Sequence, residues 1–130
     1  ASNNGEVTKE ITFSGIRSSP RQRRIIAFVS FAGYVDNVNW ENRIECEGRA
    51  AYKSNVTFNQ GDSKIAEIDI GGGGTINRWG PLFNFVLSTN LKANATSFDM
   101  SLYTKFKQNG LTADELVKIR DIRITIQILP

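Results

Sequence analysis

Two short segments concentrate the side chains best suited to recognition chemistry. Tyr34-Val35-Asp36-Asn37-Val38-Asn39-Trp40-Glu41-Asn42-Arg43 sets two aromatics among three asparagines, two acids and an arginine, and Asn77-Arg78-Trp79 repeats the combination on a smaller scale. An aromatic face stacks on the apolar C–H face of a sugar ring, while amides, carboxylates and guanidinium groups meet the adjacent hydroxyls. Tyr34, Asp36, Asn37, Asn39, Trp40, Asn77, Arg78 and Trp79 are therefore the predicted ligand-binding residues. Both segments read as loops, where binding groups tend to sit on a rigid scaffold. The competing expectation is that Trp40 and Trp79 plug the ends of the core.

Catalytic chemistry is poorly provided for. The chain has no histidine and one cysteine. An imidazole base, a Ser-His-Asp triad, a His-ligated metal, a multi-thiolate zinc site and an internal disulfide are all ruled out. Glu45 and Glu47 stand two residues apart on one strand face, as do Glu67 and Asp69. Same-strand neighbours point in parallel, about 6–7 Å apart by strand rise, and do not flank a scissile bond as glycoside hydrolysis requires. Solvated faces are the expectation for both pairs. Gly71-Gly72-Gly73-Gly74 invites a phosphate-loop reading, but Thr75-Ile76-Asn77-Arg78-Trp79-Gly80-Pro81 follows in place of a helix, and no Gly-Lys-Ser/Thr is present. A loop after Ile70 is expected there. The chain is predicted to be non-enzymatic, with no metal and no cofactor.

Charge gives a further signal. Sixteen basic against thirteen acidic side chains leave a net charge of +3 and a pI near 9.2. Arg17, Arg21, Arg23 and Arg24 fall within eight residues. They are predicted to form a solvated run before a strand, with binding of nucleic acid or another polyanion as the weaker reading. Nucleic acid is not an expected partner, because Asp36 and Glu41 would repel phosphates beside the aromatics.

The elements that must position these groups repeat with period two. Glu6 to Phe13, Ile25 to Val35, Glu41 to Tyr52, Asn55 to Phe58, Ser63 to Ile70, Leu82 to Thr89, Ser97 to Lys107 and Asp121 onward all read as strands. Ile25 to Val35 carries apolar groups on both faces, as expected of a central strand covered on both sides. Alternation puts Cys46 on the apolar side of its strand, a buried thiol. One short helix is predicted near residues 112–120, where Thr112-Ala113-Asp114-Glu115 forms a capping box and Leu111 can staple Leu116. No apolar run approaches the roughly 18–20 residues of a membrane helix.

These features predict an all-β, single-domain antiparallel β-sandwich over residues 1–130. About eight strands in jelly-roll or Greek-key order are expected, with a closed barrel as the alternative. The first functional expectation is a carbohydrate-binding, lectin-like domain whose partner is a glycan or glycoconjugate. The second is a structural module, such as a capsid, fibre or adhesion subunit, acting as a homo-oligomer. Ala1 to Gly5 carries no charged-then-apolar signal pattern. The sequons Asn55-Val56-Thr57 and Asn94-Ala95-Thr96 are weak signs of secretion. An extracellular, cell-surface or virion-surface setting is favoured by the recognition reading, and the cytoplasm stays open.

Overall fold

The computed structural model describes the backbone of residues 5–35, 38–57, 63–76, 81–107 and 117–130, and the side chains of residues 5–34, 46–57, 81–106 and 117–130. Within these residues the chain is all-β. Its strands are β1 (Glu6–Phe13), β2 (Arg23–Val35), β3 (Val38–Tyr52), β4 (Val56–Thr57), β5 (Ser63–Ile76), β6 (Leu82–Leu91), β7 (Phe98–Lys107) and β8 (Val117–Ile128). They form two four-stranded antiparallel sheets, ordered β1-β7-β3-β5 and β4-β6-β2-β8. Odd-numbered strands make one sheet and even-numbered strands the other. Consecutive strands therefore never pair, and every connection crosses between sheets.

Alternation explains the core. Ile25, Ala27, Val29 and Phe31 of β2 join Phe83, Phe85 and Leu87 of β6. They share one buried cluster with Cys46, Ala50 and Tyr52 of β3 and Phe98, Met100, Leu102 and Phe106 of β7. Each large side chain so buried contributes roughly 1.5–3 kcal/mol. The Tyr52 hydroxyl ties the sheets together by donating to the Leu87 carbonyl at 3.1 Å. Cys46 is fully buried, as its strand phase predicts, with Sγ 3.4 Å from Thr104 Oγ1.

Three local expectations change. Residues 112–116 of the predicted helix lie outside the described residues, but Val117 to Arg120 are strand, not helix. They pair with β2, Val117 opposite Val35 and Ile119 opposite Gly33. The inward phase runs Val117, Ile119 and then Ile122, Ile124, so it slips by one residue. A bulge absorbs the slip: the register shifts between Ser30 and Ala32 of β2, and Asp121 opposite takes φ 54°. Aspartate tolerates that left-handed conformation better than most residues. The local capping pattern that suggests a helix to residue 120 is overridden from Val117 onward by pairing with β2.

The glycine run is also strand. Gly71, Gly72 and Gly74 pair with Ile44, Arg43 and Trp40 inside β5. Ladder hydrogen bonds from the partner backbone hold glycine extended where its local preference is loop. Finally, β2 is central in its sheet but covered on one face only. Phe28 is 46% exposed, and Leu82 and Val86 of β6 are each 55% exposed.

Candidate functional site

Strand register decides which of the predicted residues share a neighbourhood. Tyr34 is the penultimate residue of β2, and Asp36 and Asn37 follow in the link to β3, outside the described residues. Asn39 and Trp40, expected in a loop, belong to β3, because their backbones pair with Thr75 and Gly74 of β5. Val38 stands opposite Ile76, the last residue of β5. Asn77, Arg78 and Trp79 come directly after it and also lie outside the described residues. The chain is next described at Pro81, whose carbonyl accepts the Gly33 amide at 3.0 Å. Both recognition segments thus leave strand ends on the same end of the molecule, although some forty residues separate them in sequence.

Tyr34 is half-buried, and the Arg120 guanidinium carbon stands 4.0 Å from its ring centroid. Arg120 is a residue that sequence reasoning missed, because its stretch was read as helix. As a strand residue it comes from β8, whose Lys118 is the register partner of Tyr34. A guanidinium stacked this way keeps its N–H donors at the rim of the ring, directed at neighbouring acceptors. Arg120 also lines a cleft of about 350 Å³ between β1 and β8, with Val7, Thr8, Lys9, Val117, Lys118 and Ile119. That volume lies within the range of small-ligand sites.

A second depression, about 330 Å³, lies on the outer face of the even-numbered sheet. Its lining includes Phe28 and Ser30 of β2, Asn84 and Val86 of β6, and Arg123 and Thr125 of β8. Phe28 pairs with Val86 on one side and Thr125 on the other. An exposed ring beside amide, hydroxyl and guanidinium groups is the same chemistry expected at the loops. The signal available in the sequence was the outward phase of Phe28, opposite to that of Ala27 and Val29.

The arginine cluster occupies the other end. Arg17, Arg21 and Arg24 are exposed, whereas Arg23 is half-buried with Nη2 3.5 Å from the Ala95 carbonyl. Arg23 and Arg24 open β2 and are not part of the preceding loop.

The carboxylates have a geometry that same-strand spacing could not reveal. Glu45 stands opposite Asp69, and Glu47 opposite Glu67, in the β3–β5 ladder. Only the Glu47 side chain of these four is described. It is 5% exposed and paired to Arg49 Nη2 at 2.6 Å, with the Arg49 guanidinium over the Tyr103 ring at 4.8 Å. Among the described residues no group of three or more His, Cys, Asp or Glu side chains could hold a metal ion. No described helix is long and apolar enough to cross a membrane. Comparison with protein-family models, with curated proteins and with solved structures returns no match to this chain.

Proposed function

We propose that the chain is a non-enzymatic, lectin-like carbohydrate-binding domain. Its ligand site is the end where Tyr34 and the segments 36–40 and 77–79 leave their strands. The observation that carries this reading is the Val38–Ile76 pairing and the Gly33–Pro81 hydrogen bond, which bring together the strand ends from which the two aromatic-and-amide segments continue. Arg120, stacked on Tyr34, adds a directed donor beside a cleft of suitable volume. The scaffold is of jelly-roll type. In the strand orders, β1 with β7, β2 with β6 and β3 with β5 pair as a long hairpin folded about β4.

Glycan-array binding tests the reading. Trp40→Ala and Trp79→Ala, each in a protein that retains its strand spectrum, should each reduce binding at least tenfold. Absence of binding to every glycan on the array removes the proposal.

A second reading is an assembly module acting as a homo-oligomer. It is favoured by the gathering of Phe28, Leu82 and Val86 on one sheet face, since large apolar side chains grouped in the open commonly mark contact surfaces. This reading expects concentration-dependent association by light scattering, weakened by Val86→Lys. A strict monomer at high concentration eliminates it.

A further inference from the structure

We infer that the end of the molecule opposite the Tyr34 site binds an extended sulfated polysaccharide. Three described connections meet at this end: residues 14–22, 53–55 and 92–97. They carry Arg17, Arg21, Lys53 and Lys92 and no acidic residue, and Arg23 and Arg24 stand at the start of the adjoining β2. Asp99, in the second position of β7, is the nearest described carboxylate in sequence to the last of these loops. It is already engaged by the hydroxyls of Thr12 at 2.6 Å and Ser54 at 2.9 Å.

The cations are held on a hydrogen-bonded frame. Ile16 N–H donates to the Thr96 carbonyl at 3.0 Å, Asn94 N–H to Ser19 at 2.7 Å and Lys92 N–H to Asn55 at 2.9 Å. The Asn55 side-chain amide donates to the Ser97 carbonyl at 2.9 Å. Backbone bonds of this kind lower the entropy lost when the loops engage a ligand. Arg23 Nε is buried and has no hydrogen-bond partner. That atom is out of reach of an external ligand, so the exposed Arg17, Arg21 and Arg24 are the groups that would make contact.

The arrangement selects among anions. Arg17, Arg21, Arg24, Lys53 and Lys92 are each exposed and come from three separate stretches of chain. Such a spread suits a ligand with many charges better than a single phosphate. Guanidinium groups match sulfate oxygens with paired donors. The three loops carry no aromatic residue on which bases could stack, so single-stranded nucleic acid is the poorer fit. About 33 Å of strand separates Arg24 from Tyr34 at the usual rise per residue, so this site is independent of the carbohydrate reading above.

The test is titration of the folded protein with heparin from 50 to 300 mM salt, with desulfated heparin, single-stranded DNA and inorganic sulfate in parallel. Heparin binding is expected, with a steep fall of log K against log salt. The triple variant Arg17→Gln, Arg21→Gln, Arg24→Gln should bind at least tenfold more weakly at low salt, with a slope shallower by about two to three, one unit per contact removed. The corresponding triple lysine variant should keep most of the slope, and Lys105→Gln, near the far end of β7, should change neither quantity. No heparin binding at 50 mM salt overturns the inference, as does an unchanged slope in the glutamine variant. Equal or tighter binding of single-stranded DNA, or equal affinity for desulfated heparin or free sulfate, overturns it too.

Discussion

Gly48 of β3 packs against the ring of Phe83 of β6 so closely that a Cβ at Gly48 would stand 2.5 Å from Phe83 Cγ. Glycine is required here by the approach of one sheet to the other. Phe83 is 1% exposed, and its ring stacks on Phe85 at 6.1 Å, so it has little room to withdraw. Gly48→Ala is expected to destabilise the fold by about 2 kcal/mol through overpacking, read as a lower urea midpoint. Adding Phe83→Leu to Gly48→Ala should recover part of that loss. Wild-type stability in Gly48→Ala would show that the sheets can separate freely.

Burial pushes the Cys46 thiol up to about 11, against an opposing hydrogen bond from Thr104 and a small reinforcing effect of Glu47. Native protein at pH 8 should therefore resist an aromatic disulfide reagent and react stoichiometrically once unfolded. Raised folded values for acids mean that the unfolded chain loses its protons first. Stability should thus be full below pH 9 and fall toward pH 11, by up to about 1.4 kcal/mol per pH unit. Burial raises the Tyr52 phenol as well, adding to the loss at higher pH. Cys46→Ala should flatten the decline between pH 9 and 10. An equal decline in that variant would assign it elsewhere.

Hydrogen bonds donated by Thr12 and Ser54 hold the Asp99 carboxyl below its ordinary value of 3.8. A depressed carboxyl contributes stability that is present above the unfolded value and lost as pH falls through the folded one. Carbon-detected NMR titration should place Asp99 below free aspartate. Thr12→Val should move it upward and reduce the excess acid sensitivity of the fold. A midpoint unchanged by Thr12→Val would contradict this account.

The stacking of Arg120 on Tyr34 should be measurable as a coupling. Arg120→Ala is expected to lose about 0.5–1 kcal/mol of stability. The double-mutant cycle with Tyr34→Leu should return most of that loss as pairwise energy. Additive single-variant effects would mean the ring and the guanidinium are neighbours without attraction. Arg120→Ala should also weaken glycan binding if the donor rim faces the ligand.

Much of the element map was legible in the residues themselves. Strand phase depends on alternation over a few residues, so β1, β2, β6 and β7 appear near their observed bounds, and Cys46 falls on its buried face. The same local reasoning failed where a partner strand imposed the conformation. Gly71 to Gly74 looks like a loop until β3 supplies hydrogen bonds, and the capping box at Thr112 suggests a helix to residue 120 until β2 pairs with Val117 to Arg120. Composition, through the missing histidine and the single cysteine, removed most catalytic chemistry without any structure.

Only tertiary structure decided what meets what. Pairing between β3 and β5 brings the start of β3 and the last residues of β5 to one end, sets Glu45 opposite Asp69, and leaves the arginines at the other end. Sheet packing left Phe28 exposed on a strand that alternation suggested was covered. Register and strand order are long-range choices, set by which faces bury together and which connections cross the core. No short window of sequence contains that information.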